Sequence, residues 1–421
     1  MNIGDMVRAL TDGAPPVRFE AYDGSGFGPL ESPVTMRLMN ERGLRYLATA
    51  PGDLGMARAY VVGDLELDGV HPGDPYEAIR LLGRWRGRRP TAAELATLVR
   101  VMGWRRLVPP EPPAQEAIPR WRRVAEGLRH SRLRDAESVQ HHYDVSNSFY
   151  VKVLGPSMAY TCAVFATADA TLEEAQAEKF DLVCRKLGLA PGMRLLDVGC
   201  GWGGMVRHAV SHYGVTAVGI TLSAEQAKWG QLVLEREGLA DRGEILHGDY
   251  RDAPGERYDA ISSIGLLEHV GVHNYPAYFG LLRSKLRDGG RLLNHSITRP
   301  RNNERVTTGA FIDRYVFPDG ELTGAGRIIT AAQDVGFEVR HDENLREHYA
   351  LTLKNWCANL VQHWDSCVAD VGEARARVWG LYMAGSRYGF ETNEVQLHQV
   401  LAVKVSADGD ASFPLRPTWL S

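Results

Sequence analysis

Asp197, Gly199, Gly201 and Gly203 lie in the run Leu195-Leu196-Asp197-Val198-Gly199-Cys200-Gly201-Trp202-Gly203-Gly204. The aliphatic residues before the glycines read as a buried parallel strand. Glycines let the backbone turn sharply and approach a ligand with no Cβ in the way. From Met205 to Val210 the pattern reads as the start of a helix, whose first N–H groups lack intrahelical partners and point back at the loop. Strand, glycine loop and helix in that order make a nucleotide-type cofactor site. Gly199, Gly201 and Gly204 also satisfy G-x-G-x-x-G. A dinucleotide fold, however, usually ends its second strand in an acid that holds a ribose hydroxyl. Here that strand ends Val218-Gly219-Ile220-Thr221-Leu222-Ser223, without an acid, which weakens a nicotinamide reading.

Elements must hold these residues in place, and from about Ala136 strand and helix patterns alternate. An amphipathic helix is predicted over 172–187, and strands over 194–198, 217–220, 244–247, 258–264 and 291–296. Helices are predicted over 225–237 and 275–286, and Asp288-Gly289-Gly290 reads as a turn before the last of those strands. Strands spaced by helices predict an α/β fold with a doubly wound, mostly parallel sheet. Ligands in such sheets lie beyond the carboxyl ends of the strands. That rule gathers Gly199, Thr221, Asp249, Glu268 and His295 around one crevice. Each has a bland reading too: Glu268 as a helix cap, His295 as a core histidine, Cys162 as a small buried hydrophobe.

Before this region, Val17 to Tyr22 alternates at period two, Asp23-Gly24-Ser25-Gly26 reads as a turn, and 44–49 and 57–62 are short apolar runs. Together they predict a small α+β domain over 1–80. A segment over 81–135 joins it to the larger domain, 136–421. Its run Val108-Pro109-Pro110-Glu111-Pro112-Pro113 bars helix and central strand, and marks a linker. The chain of 421 residues has 44% hydrophobic and 24% charged residues, the balance of a soluble two-domain protein. Five cysteines without pairing or zinc spacing fit a reducing cytoplasm, and no metal site is expected. The net charge of −4 hides a basic stretch in which Arg84, Arg86, Arg88, Arg89, Arg105, Arg106, Arg122 and Arg123 interleave with Trp85, Trp104 and Trp121. Arg with Trp suits an anionic membrane surface. The same stretch also reads as a nucleic-acid patch or a solvated linker.

The form D-x-G-x-G-x-G at Asp197 to Gly203 resembles motif I of the class I S-adenosylmethionine (SAM) methyltransferases. More blocks narrow the likeness: His141-His142-Tyr143-Asp144, Tyr160-Thr161-Cys162, Gly219-Ile220-Thr221-Leu222-Ser223-Ala224-Glu225-Gln226, Leu267-Glu268-His269-Val270-Gly271 and Phe311 to Pro318. In this order, over roughly Ser138 to Val405, they resemble the cyclopropane fatty acid synthase / mycolic acid methyltransferase family. The resemblance implies a Rossmann-like sheet of seven strands and SAM as cofactor.

It also implies roles. Tyr143, Tyr160, Thr161, Asp197, Gly199, Gly201 and Gly203 fall on the cofactor motifs, with Thr221, Leu222 and Gln226 at the ribose and Asp249 and Tyr250 at the adenine. A bicarbonate ion, the family's general base, would be caged by Cys162, Glu268, His295, the Ile297 main chain and Tyr349. Methyl transfer to an isolated alkene leaves a carbocation that must lose a proton, so a buried base and an apolar channel are required. Tyr315, Phe317 and Trp356 are candidates to line the channel, and Ser386 stands where the family often has Cys. The extension over 18–68 resembles that of members acting on intact phospholipids. The implied activity is one-carbon addition to an unsaturated phospholipid acyl chain, giving a cyclopropane or a 10-methylene chain. Alternatives are a small-molecule methyltransferase and a non-catalytic lipid- or SAM-binding module. The implied partners are unsaturated phospholipids and an anionic bilayer at the inner face of the cell membrane, not nucleic acid. A partner reductase and a homodimer stay open.

Overall fold

The computed structural model describes residues 2–9, 15–83, 91, 108–117, 146–417 and 419. The His141–Asp144 block with Tyr143, and the Arg/Trp-rich residues 84–107 and 118–134 apart from Thr91 and those of 108–117, lie outside them. The chain divides into two compact units. The first comprises Met1–Arg120, Gly309–Pro318 and Leu353–Tyr388, the second Trp121–Thr308, Asp319–Thr352 and Gly389–Ser421. Both are discontinuous in sequence, whereas the sequence reading cut the chain once at 80 and once at 135.

The first unit carries a four-stranded sheet, order β2-β1-β3-β4, from β1 (Arg18–Ala21), β2 (Gly26–Phe27), β3 (Thr35–Leu38) and β4 (Leu65–Asp68). The period-two pattern of β1 turns Phe19 and Ala21 into a core with Phe27, Leu38, Leu44, Tyr46, Ala59 and Leu65. Helices α1 (Ile3–Ala9), α2 (Glu41–Thr49), α3 (Asp53–Val61) and α4 (Tyr76–Gly83) complete the expected α+β character. The apolar runs at 44–49 and 57–62 are the buried faces of α2 and α3. The proline-rich 108–117 segment is not a free spacer. Arg45 donates to the Val108 carbonyl, Tyr46 to that of Glu111, and the buried Glu116 carboxylate pairs with Arg58 and Arg314. Prolines bar regular structure there but leave carbonyls for side-chain donors. Tyr315, Phe317 and Trp356 also belong to this unit. Tyr315 lies 3.4 Å from Glu116, Phe317 packs edge-on against Tyr382, and Trp356 is fully buried. Ser386 is half-buried.

The second unit holds a seven-stranded sheet of order β10-β11-β9-β8-β5-β6-β7. Its strands are β5 (Arg194–Val198), β6 (Thr216–Thr221), β7 (Gly243–His247), β8 (Tyr258–Ile264), β9 (Leu286–Thr298), β10 (Glu338–Asn344) and β11 (Gln396–Val403). All neighbours pair in parallel except β11, which runs antiparallel to β9 and β10. This is the doubly wound, mostly parallel sheet expected. Strands β5 and β8 are buried along nearly their whole length, as helix-covered parallel strands are. Those helices include α5 (Asn147–Leu154), α6 (Leu172–Leu187), α7 (Gly204–Tyr213), α8 (Ala224–Arg236), α9 (Leu267–Val270) and α10 (Tyr275–Lys285). Helix α6 starts at a Thr171/Glu174 capping box and stops at Gly188, φ +66°. Leu196, Val198, Ile261, Leu292 and Val400 of the sheet pack with Tyr278, Phe279 and Leu282 of α10.

One expectation is corrected. Asp288-Gly289-Gly290 is not a turn before a strand but an irregularity inside β9. Between the pairs Tyr258↔Leu286 and Ala260↔Arg291 the register slips. Gly289 takes φ +73°, and its N–H donates to the Lys404 carbonyl, so the edge stays bonded through the bulge.

Candidate active site

The glycine loop follows β5 as predicted. Gly199, Gly201 and Gly203 adopt φ of +73°, +55° and +81°. At Gly203 a Cβ would also lie 2.8 Å from Ile245 Cδ1, whereas a Cβ at Gly201 would meet no atom of the described residues within 4 Å beyond its chain neighbours. The Gly199 and Cys200 N–H groups both donate to the Ile220 carbonyl, at 2.9 and 3.0 Å, which folds the loop over the end of β6. Helix α7 then starts without a side-chain cap, leaving its first N–H groups for a ligand.

Asp197 lies under the loop, buried, and accepts from Ser262 Oγ at 2.6 Å. Nearby Lys179 of α6 is also buried and donates from Nζ to Thr161 Oγ1 at 2.9 Å. Burial raises the Asp197 carboxyl and lowers the Lys179 ammonium, and each charge partly offsets the other's shift. Trp202 donates from Nε1 to Asn147 Oδ1 at 2.9 Å and packs 4.8 Å from Tyr150, whose ring also neighbours Tyr160.

At the end of β6, Thr221 Oγ1 donates to Gln226 Oε1 at 2.7 Å, and both side chains are buried. The Leu222 carbonyl accepts from His247 Nε2. The Asp249 carboxylate is engaged by its own turn, accepting from Arg251 N at 2.8 Å and Nε at 2.7 Å. Tyr250 packs edge-on against Tyr278.

Four of the five residues expected to form a cage are linked through main-chain pairing and hydrogen bonds, and the fifth, His295, lies on the same strand as Ile297. Glu268 on α9 sends Oε1 to the Ile297 N–H at 2.6 Å. Ile297 and His295 are two apart on β9, so their side chains share a face. Ile297 pairs with Leu397, whose carbonyl accepts from the Leu345 N–H at 2.8 Å. The Leu345 carbonyl in turn accepts from the Tyr349 N–H at 3.2 Å and lies 3.8 Å from Cys162 Sγ. Burial pushes the Cys162 thiol far up, so it remains protonated, and the Glu268 carboxyl up to about 7. Burial holds the His295 imidazole well below its usual range, hence neutral. Glu268 Oε2 and His295 Nε2 are both buried and have no hydrogen-bond partner among the described residues.

Sequence reasoning missed the groups behind these. His295 Nδ1 meets Gln399 Nε2 of β11 at 3.1 Å, and Gln399 Oε1 accepts from Lys186 Nζ at 2.6 Å. One signal existed: Lys179 and Lys186 are seven residues apart on α6 and share its buried stripe with Leu172, Ala175 and Val183.

The family profile "Mycolic acid cyclopropane synthetase" matches residues 130–400. A probable fatty acid methyltransferase of Mycobacterium tuberculosis is 60% identical over 408 residues, covering 97% of this chain and 95% of its own. The cyclopropane-fatty-acyl-phospholipid synthase of Escherichia coli is 37% identical over 261 residues, 62% of this chain and 66% of its own. The crystal structure of a mycolic acid cyclopropane synthase complexed with SAH and CTAB superposes with a TM-score of 0.60 at 35% identity. It covers 63% of this chain and 97% of that one.

Proposed function

The chain belongs to the mycolic acid cyclopropane synthetase family, and from that premise we propose that it adds a one-carbon unit from SAM to the double bond of an unsaturated acyl chain in a membrane phospholipid. It is a SAM-dependent methyltransferase with a class I fold, acting on fatty acids.

The residues fit SAM. The loop leaves open space beside Gly201, α7 presents uncapped N–H groups, and Thr221 with Gln226 forms a buried hydroxyl–amide couple at the end of β6. Gly199 to Gly203, with Tyr160 and Thr161, would hold the methionine end, and Thr221 and Gln226 the ribose. Asp249, its carboxylate oriented by Arg251, and Tyr250 would flank the adenine. When bound, SAM supplies an electrophilic methyl group on a sulfonium centre. The alkene that takes the methyl becomes a carbocation and must lose a proton to finish.

One observation carries the catalytic reading: the buried atoms Glu268 Oε2 and His295 Nε2, without a hydrogen-bond partner among the described residues. A buried polar group left unsatisfied costs about 1–3 kcal/mol, so a polar ligand is the expected occupant. Bicarbonate fits this donor–acceptor set, with Cys162, the Ile297 main chain and Tyr349 around it, and would supply a buried base. The protonated Cys162 thiol leaves no thiolate there to trap the cation.

The phospholipid substrate places the enzyme at a bilayer. The Arg/Trp-rich stretch supplies cations for an anionic inner leaflet, with the protein on the cytoplasmic side. The product is decided by whether a hydride shift precedes proton loss. Loss from the transferred methyl without a shift closes a cyclopropane, while a shift that moves the cation onto the methyl-bearing carbon, followed by loss from that methyl, gives a branching methylene. A separate reductase would then be needed for a 10-methyl chain.

The test supplies an oleoyl phospholipid with unlabelled SAM and reads the product by proton NMR. High-field ring CH2 signals identify a cyclopropane, and olefinic CH2 signals identify a methylene. A parallel reaction with a fully deuterated SAM methyl group counts the deuteriums kept by mass spectrometry. Retention of all three deuteriums refutes proton loss from the methyl, and SAM consumption with no modified lipid refutes the substrate class.

A further inference from the structure

The tautomer of His295 is fixed by residues that touch neither cofactor nor substrate in the reading above. Gln399 lies directly opposite His295 in the antiparallel register of β11 and β9, and both are buried. Its amide oxygen accepts from Lys186 Nζ at 2.6 Å, and its amide nitrogen faces His295 Nδ1 at 3.1 Å. Lys186 is fully buried at the end of α6, where burial lowers its ammonium and the ion pair with Glu343 opposes that shift in favour of the charged form. An ammonium has donors only, so the amide group facing it must be the oxygen. The amide NH2 is then turned to His295, and because it too has only donors, Nδ1 must be the bare nitrogen. A neutral imidazole carries one proton, which therefore sits on Nε2. Nε2 is the ring atom that has no hydrogen-bond partner among the described residues.

We propose that the Lys186–Gln399 pair is a positioning device that holds His295 as its Nε2–H tautomer, so that the cage offers a neutral donor to an oxyanion. The second half of this statement rests on the oxyanion reading above, while the first half does not. The arrangement gives the cage its polarity. Glu268 Oε2 supplies the acceptor, His295 Nε2–H supplies the donor, and a bicarbonate, which both donates and accepts, matches the two. Reversing the tautomer would set two acceptors toward the ion.

The experiment is long-range 15N–1H NMR of the full chain labelled at histidine, with the His295 signals identified by their loss in His295→Asn. The wild type is expected to show a pyrrole-type Nε2 and a pyridine-type Nδ1, and bicarbonate should move the Nε2 signal without moving the proton. Gln399→Leu removes the donor to Nδ1, and Lys186→Met frees the amide to rotate. Both should redistribute the proton toward Nδ1 and raise the bicarbonate concentration needed for half-maximal activity at least about tenfold, as loss of an orienting partner does. Their SAM affinity should stay unchanged. The double variant should cost little more than either single one, because the two residues act through one link.

A wild-type signal with Nδ1–H overturns the inference, and it needs no variant to fold. So does a Gln399→Leu protein that loses thermal stability while keeping the tautomer and its bicarbonate response, since that outcome is packing alone. The expected tautomer with an Nε2 signal blind to bicarbonate overturns the oxyanion reading and upholds the positioning.

Discussion

Replacing Glu268 by Gln separates two consequences of one buried carboxyl group. Oε1 accepts the Ile297 N–H at 2.6 Å, and a glutamine oxygen can keep that bond. Oε2 has no hydrogen-bond partner among the described residues, and there the substitution puts an NH2 where an acceptor stood. Burial raises this group from 4.5 to about 7. At about 1.4 kcal/mol per unit, the fold disfavours the ionised form by about 3 kcal/mol. Because the folded-state value is raised, the group's contribution to stability is full below 4.5 and is lost as pH rises through about 7. Glutamine does not titrate. The variant should match the wild type in urea unfolding near pH 4.5 and be more stable above pH 7, by up to about 3 kcal/mol. Turnover should fall by about 10²–10⁴, the range for a lost acid–base group. SAM affinity by calorimetry should hold, because the cofactor residues lie on other elements. A variant that is less stable at high pH would show a carboxylate sustained by partners, which refutes the burial argument. SAM binding lost in step with turnover would make Glu268 a cofactor ligand and refute the cage.

Gly201→Ala tests the cofactor position. At φ +55° the Cβ meets no atom of the described residues within 4 Å beyond its chain neighbours, so backbone strain of about 1–2 kcal/mol is expected in the free protein. SAM affinity measured by calorimetry should nonetheless drop at least about tenfold, the cost of roughly 1.4 kcal/mol of binding energy, and unchanged affinity refutes the placement. Replacing Arg84, Arg86, Arg88 and Arg89 by Ser should weaken sedimentation with anionic vesicles. The binding should also fall with salt, since exposed charges are screened beyond about 8 Å at physiological ionic strength. Binding that ignores both changes leaves the stretch a spacer.

The local elements were legible because their signals are local. Strands β5 and β8 and helix α6 have the bounds that hydrophobic period, turn glycines and capping residues predict. The glycine loop, the acid-free end of β6 and the mostly parallel order follow from the same patterns, and the family resemblance singled out the residues of the proposed cage one by one. What the chain by itself could not show is which of those residues share atoms. Glu268 reaches Ile297 across 29 positions, Cys162 reaches Leu345 across 183, and Gln399 reaches His295 across 104. A period assigns a side chain to a face, but the neighbour on that face is set by strand order and register. The insertion of β11 antiparallel beside β9 puts Gln399 opposite His295. Burial was equally hidden. Lys186 looks like a basic residue closing a helix, and only the packing of α6 against the sheet takes its ammonium out of water and hands it, 213 positions away, to Gln399. Tertiary structure turns a lysine, an amide and a histidine into one oriented donor, because a buried polar group must find its partners inside the protein.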